Sequence, residues 1–178
     1  MTIPKIRRAV KGDSPGIANV HLNSWRETYS SLLPVSFIDR LPLSFQQRMN
    51  SWDKVLDGDF ESRSIWVAEA DTFGIVGFAV VDKARDDQFK DYGEIGAIYL
   101  LKAFHGTKTG FELLKAGMLS LIELGYHRAY CWVLEGNPTI RFYERSGARK
   151  TATQQTDEIG GERVQELAFI WDDISKFK

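Results

Sequence analysis

The 178-residue chain is 43% apolar and 26% charged, with five tryptophans and eleven phenylalanines, which excludes disorder and leaves enough material for one substantial core. A formal net charge of −1, with no Lys/Arg-rich run, offers no general attraction to nucleic acid or to an anionic membrane. The one cysteine, Cys131, excludes an internal disulfide and a thiolate-built structural zinc site.

These bounds predict a single domain over residues 1–178 in a reducing compartment. The N-terminal stretch MTIPKIRRAVKGD is basic but lacks an apolar run of seven or more residues. It does not read as a secretory signal, no later segment approaches a membrane span, and the expected location is cytoplasmic.

Residues 3–10 suit a short first strand, after which Asp13 offers a side-chain oxygen to cap a helix that tolerates Pro15 in its first turn. Ile17, Val20, His21, Ser24, Trp25 and Thr28 recur at helical spacing until Pro34 redirects the chain. A second helical stretch is predicted over 35–56, interrupted near Pro42, with Phe45, Met49, Trp52 and Leu56 as its apolar stripe. After GDFESRS the period changes. IWVAEA, GIVGFAVV and EIGAIYLL are runs rich in β-branched and aromatic residues, read as three antiparallel strands.

From Gly106 the helical period returns, with Phe111, Leu114, Met118, Leu121 and Ile122 on one face and Gly125 at the end. YCWVLE is a further strand and NPTIRFYERSG a short helix, while RKTATQQ and RVQELAFIW are strands joined by DEIGGE. The predicted order is β, α, α, β, β, β, α, β, α, β, β.

The segment HGTKTG, 105–110, raises the question of a phosphate site. It fits neither the nucleotide P-loop G-x-x-x-x-G-K-[ST] nor the dinucleotide G-x-G-x-x-G, which disfavours a nucleotide-binding module. Two readings remain: a small-residue turn without a ligand, or a strand–turn–helix junction whose free N–H groups and positive dipole end accept a pyrophosphate.

The stretch EIGAIYLLKAFHGTKTGFELLKAGM, followed by VLEGNPTIRFYERSGA, resembles the GNAT superfamily of N-acetyltransferases, and HLNSWRETYSSLLP is similar to the first helical region of a subgroup that includes polyamine acetyltransferases. The resemblance implies an α/β (α+β) fold: a central, mixed, mostly antiparallel sheet of six to seven strands flanked by about four helices. It implies acetyl-CoA as acyl donor, with no metal. In the family pattern [QR]-x-x-G-x-[GA], His105 takes the first place, Lys108 the place of the first glycine and Gly110 that of the second. His105, Gly106, Thr107, Lys108, Thr109 and Gly110 are thus the implied pyrophosphate turn. The backbones of Ile98 and Leu100 are implied to bind the pantetheine arm where their strand splays from its neighbour. Asn137, Phe142, Tyr143 and Gly147 match the later motif, with Asn137 as a further CoA contact.

Acetyl transfer needs a neutral amine, a stabilised oxyanion and a proton for the departing thiolate. An alkyl amine of pKa near 10.4 is neutral in only about one molecule in two thousand at pH 7, so a proton acceptor is required. Glu94 is the candidate base, acting through water, and strand alternation puts it on the face of Gly96, Ile98 and Leu100. The plain alternative is a strand-end carboxylate in solvent. Tyr143 is the candidate acid by resemblance, against a packing role for an aromatic at helical spacing. Asn137 also suits a helix cap. If position 108 is left-handed, its side chain costs about 1–2 kcal/mol, and an ammonium beside phosphate offsets a similar amount.

Glu27 and, in the loop KARDDQFKDYGE, Asp86, Asp87 and Asp91 suit a cationic acceptor. A small-molecule amine, a peptide N-terminus and a lysine side chain all remain acceptors, and no oligomeric state is legible. The expected function is acetyl transfer from acetyl-CoA to a primary amine, the alternative being a catalytically weak acyl-CoA-binding sensor or interaction module of the same fold.

Overall fold

The computed structural model describes residues 3–58 and 62–178; the centre of the turn expected at GDFESRS lies outside the described residues. Seven strands form one sheet in the order β1-β2-β3-β4-β5-β7-β6. They are β1 (Lys5–Arg8), β2 (Ser64–Ala70), β3 (Gly74–Lys83), β4 (Gly93–Leu100), β5 (Ala129–Leu134), β6 (Arg149–Ile159) and β7 (Glu162–Trp171). All neighbours are antiparallel except β4 and β5, which run parallel. The helices are α1 (Ser14–Tyr29), α2 (Val35–Ile38), α3 (Phe45–Asp57), α4 (Thr109–Glu123) and α5 (Ile140–Arg145). The mixed, mostly antiparallel sheet and its element order are those expected.

The sheet separates two cores. On one face α4 lays Leu114, Met118 and Leu121 against Val81, Ile95, Cys131 and Trp171. On the other, Ile17 and Val20 of α1 pack on Val67, Ile75 and Phe78, with Trp52 and Leu56 of α3 alongside. Fully burying each such side chain contributes about 1.5–3 kcal/mol, so α1 and α4 are held chiefly by these stripes. The N-terminal ends of the predicted stripes are different: Phe45 and Phe111, each in the first turn of its helix, are both exposed, with the Phe111 ring 6.0 Å from that of Phe177.

Several local expectations change. The first strand is four residues long. Asp13 precedes α1 but forms no side-chain cap; its carboxylate is taken by the forked guanidinium of Arg7, at 2.7 and 2.9 Å, and by Val10 N–H at 2.8 Å. Pro34 and Pro42 divide the second helical stretch into the single turn α2, a 3₁₀ turn (Leu41–Ser44) and α3. The β6–β7 hairpin closes through Gly160 and Gly161, both at positive φ, the requirement of a two-residue hairpin turn.

The change that matters most for function lies in β4. Val81 pairs with Ile95 but Val80 pairs with Ala97, so Gly96 is an extra residue, and a bulge switches the strand's alternation. Ile95 and Ile98 consequently pack toward α4, while Ala97 and Tyr99 pack toward α1. Glu94 therefore shares its face with Ala97 and Tyr99, not with Ile98 and Leu100 as unbroken alternation predicts, while Gly96 stays beside it, a Cβ there lying 3.9 Å from Glu94 Oε1.

Candidate active site

β4 and β5 touch only at Gly93↔Ala129 and Glu94↔Tyr130, beyond which the two strands part. Leu101 N–H donates to Val76 O at 2.9 Å, so alternation turns Tyr99 toward β3 and the peptide groups of Ile98 and Leu100 into the gap. One of these is occupied: Leu100 O lies 3.0 Å from His105 Nε2. His105, exposed, thereby ties the following turn to the gap's edge.

That turn enters α4 through two left-handed residues, Gly106 at φ +77° and Lys108 at φ +67°. Lys108 is the only non-glycine at positive φ among the described residues. The Thr107 hydroxyl donates to Phe104 O at 2.6 Å and lies 2.7 Å from the hydroxyl of the fully buried Thr109. Side chains fix the turn from within. Among the described residues the N–H groups of 106–111 find no backbone acceptor, and a Cβ on Gly106 would meet nothing within 4 Å. A run of amides without backbone acceptors at a helix start can receive phosphate oxygens.

On the α1 face the parting strands open into a cavity of about 760 Å³. Tyr130, Trp132 and Leu134 of β5 floor it, Trp25 and Tyr29 of α1 wall it, and Asp86, Asp87, Asp157 and Glu166 bring carboxylates to it. Glu94, 2% exposed, is held here. Its Oε1 accepts from Arg85 Nη2 at 2.5 Å and Nε at 3.0 Å, and its Oε2 accepts from Arg85 N–H at 3.0 Å, from Nε at 3.1 Å and from Tyr130 OH at 2.8 Å. Burial, then this carboxylate, push the Tyr130 phenol above its ordinary range, so it stays a donor.

Tyr143 lies on the opposite side of the sheet, 8% exposed among Met118, Cys131 and Trp171. Its hydroxyl has no hydrogen-bond partner among the described residues, and burial, with Cys131, Tyr29 and Tyr99 nearby, raises its pKa well above the usual phenol value. Asn137 Oδ1 accepts from Thr139 N–H at 2.8 Å and from its hydroxyl at 2.7 Å, fixing the entry to α5, while Nδ2 reaches Tyr29 OH at 3.3 Å. Cys131 is a buried packing residue whose thiol burial pushes up. No group of three or more His, Cys, Asp or Glu suited to a metal ion occurs among the described residues, and no described helix is long and apolar enough to cross a membrane.

The profile of the acetyltransferase (GNAT) family matches residues 22–148. The chain belongs to the GNAT acetyltransferase family. It is 32% identical over 176 residues to the uncharacterized N-acetyltransferase YuaI of Bacillus subtilis strain 168, covering 97% of this chain and 95% of the relative. Membership makes it an acetyl-CoA-dependent N-acetyltransferase. The fold is shared with a GCN5-related N-acetyltransferase from Rhodopseudomonas palustris at TM-score 0.73, 16% identity and 96% coverage of both chains. It is shared with PaiA N-acetyltransferase of Thermoplasma acidophilum, solved with coenzyme A, at TM-score 0.66, 19% identity and 93% and 98% coverage. YncA of Salmonella typhimurium, solved with acetyl-CoA, matches at TM-score 0.65, 17% identity and 98% and 96% coverage.

For this GNAT chain, the predicted turn residues 105–110 come together at one helix entrance, beside the peptide groups of Ile98 and Leu100. Glu94 and Tyr143 stand on opposite faces of the sheet, on either side of the gap. Of the acidic residues expected to meet an acceptor, Asp86 and Asp87 line the cavity. Asp91 does not, and Glu27 Oε2 instead accepts Lys102 N–H at 2.8 Å, anchoring the chain beyond β4. Sequence reasoning missed Arg85, Tyr130, Asp157 and Glu166. The alternation of Tyr130 and Trp132 around Cys131 was the available signal for a polar-aromatic wall; Glu166 reaches the cavity through the β5–β7 pairing, opposite Leu134, and Asp157 through the β6–β7 pairing.

Proposed function

We propose that this acetyltransferase moves an acetyl group from acetyl-CoA to the primary amine of a small cationic acceptor, by direct attack through a tetrahedral intermediate. The observation that carries this is the parting of β4 from β5 at Glu94 and Tyr130, with an acidic, aromatic-walled cavity on one face and an open run of amides at the other end of the gap. A cavity of about 760 Å³ suits a small molecule more than a protein surface. Its carboxylates and aromatic walls favour an alkylammonium over a neutral or anionic amine.

The donor supplies a thioester. The chain supplies its placement: the amides of 106–111 toward the pyrophosphate, with the Lys108 ammonium beside it, the free peptide edge of Ile98 and Leu100 toward the pantetheine arm, and the Asn137 region at the far wall of the gap. His105, Thr107 and Thr109 act by holding this geometry, since their side chains are bonded within the protein. Gly110 lets the helix entrance pack against Phe142 and Leu100, whose side chains lie 3.5 and 3.7 Å from where its Cβ would be. A peptide N–H in the gap faces the thioester oxygen, a type of contact worth about 3–4 kcal/mol in other acyl transfers. Glu94 is the proton acceptor, through a water in the cavity, once room exists beside its Arg85-bonded oxygens. Tyr143, kept protonated by burial, is the donor to the departing thiolate on the opposite face.

Release of CoA thiol measured over a panel of diamines, free lysine, peptide N-termini and amino acids tests this reading. Highest turnover on dicationic amines is expected, with Tyr143→Phe losing about a hundredfold or more in kcat while calorimetric CoA binding is retained. Unchanged turnover in that variant would remove Tyr143 from its role. CoA binding without turnover on any amine would favour an acyl-CoA sensor of the same fold.

A further inference from the structure

Among the residues lining the cavity one is basic, Arg85, against five carboxylates, Asp86, Asp87, Glu94, Asp157 and Glu166. Arg85 follows β3, and its side chain is 72% exposed, whereas the Glu94 side chain that it binds is 3% exposed. The two partners differ in what separation costs. The guanidinium is already largely hydrated and, on swinging outward, returns to water beside Asp86 and Asp87. The carboxylate has no water to return to and needs another cation in its place.

The bonding of Glu94 divides accordingly. Oε2 accepts from the guanidinium Nε at 3.1 Å but also keeps two donors that do not depend on where the guanidinium lies, Tyr130 OH at 2.8 Å and the Arg85 backbone N–H at 3.0 Å. Oε1 is bonded only by guanidinium nitrogens, Nη2 at 2.5 Å and Nε at 3.0 Å. Oε1 is also the oxygen nearer Gly96, since a Cβ built there would lie 3.9 Å from it. The carboxylate is thus fixed on one oxygen and exchangeable on the other, at the place where β4 leaves β5.

We infer that Arg85 is a displaceable stand-in for the acceptor: in the acceptor-free protein its guanidinium occupies the place beside Glu94 Oε1 that the ammonium of a small cationic amine, with the water between them, takes on binding. This rests on the reading of the cavity as the acceptor site and adds how that site is entered. One cation leaves as another arrives, so the buried carboxylate is never left unpaired. The outer carboxylates serve both cations, drawing the ammonium in and receiving the guanidinium that comes out. Selection follows from the same exchange: a neutral or anionic group has no means of releasing Arg85 from Glu94.

The test uses the full chain saturated with CoA, which carries no acetyl group and permits no turnover, and 1,4-diaminobutane as probe, with 1-butanol and butyrate as neutral and anionic controls. The NMR signal of Arg85 Nε–H, assigned by its absence in Arg85→Lys, should be that of a bonded guanidinium in the free protein and move to the solvated position on saturation with the diamine alone. Calorimetry should give several-fold tighter diamine binding to Arg85→Ala than to the wild type. Diamine binding that leaves the Arg85 signal in place, weaker binding by Arg85→Ala, or no binding to either protein would overturn the inference. If Arg85→Ala does not fold, the wild-type NMR titration decides alone. Turnover of amines with Arg85 still locked on Glu94 would sink the exchange and keep the acetyltransferase reading; release of Arg85 by diamine without turnover on any amine would do the reverse.

Discussion

Tyr130 and Glu94 face each other across the last rung that β4 and β5 share, and the phenol donates to Glu94 Oε2 at 2.8 Å. The ring also stacks on Phe89, centroids 4.3 Å apart and planes 14° from parallel, so Tyr130→Phe keeps the packing and deletes one donor to a buried carboxylate. A loss of about 1–2 kcal/mol in stability is expected, read as a lower urea midpoint. If Glu94 meets the acceptor, the same variant raises the amine KM and leaves CoA affinity unchanged. A shift in CoA affinity would instead place Glu94 and Tyr130 at the donor side.

His21 gives a prediction on pH. Its ring is packed among Trp25, Trp52, Phe78 and Tyr99, its Nδ1 has no partner, and burial, with Arg48 nearby, lowers its pKa to about 3. The unfolded chain takes up this proton near pH 6.5 while the folded chain refuses it down to about 3. Stability from this site is therefore complete above 6.5 and falls as pH drops through that window. Between pH 7 and pH 5 the wild type should lose about 2 kcal/mol more than His21→Phe. Equal acid sensitivity of the two proteins in urea titrations would contradict the assignment.

Lys108 holds a left-handed backbone at φ +67° where the family pattern has glycine. Lys108→Gly relieves about 1–2 kcal/mol of backbone strain, partly offset by the greater freedom of glycine in the unfolded chain, for a net gain of about 0.5–1 kcal/mol. If the ammonium meets the pyrophosphate, CoA affinity falls about five- to tenfold and depends less on salt. A stabilised variant with unchanged CoA affinity would show that Lys108 serves only solvent.

Much of the frame was legible because each element carried its own period. The strand-like run ending near Phe104, then a glycine-bearing turn and an amphipathic helical period, announced α4, and Gly125 announced its end. What escaped depended on partners far along the chain. A glycine inside the strand EIGAIYLL is itself a signal of a bulge or of a ligand's close approach, but the effect on alternation appears only when Val80 and Val81 pair with Ala97 and Ile95, which puts Ile98 and Leu100 on the face away from Glu94. Arg85 was one charge in a charged loop until β3 and β4 paired and brought its guanidinium over Glu94. Asp13 was read as a cap from its position, but a nearby arginine fork outcompetes a helix amide for a carboxylate.

Two glycines three residues apart in β4 separate folding from chemistry. A Cβ on Gly93 would lie 2.6 Å from Leu121 Cδ2 and 2.9 Å from its Cγ, so Gly93→Ala overpacks the α4 core and should cost about 1–3 kcal/mol. On Gly96 the nearest atoms are Val80 O at 3.8 Å and Glu94 Oε1 at 3.9 Å, ordinary contacts, so Gly96→Ala should keep its urea midpoint to within about 0.5 kcal/mol. Its methyl group would nevertheless sit beside Glu94 at the mouth of the strand gap, where the amine and the thioester are proposed to meet. Gly96→Ala is therefore expected to lose kcat/KM with intact stability, and Gly93→Ala the reverse where it remains folded. Wild-type turnover by Gly96→Ala would move the reaction away from the point where β4 and β5 part.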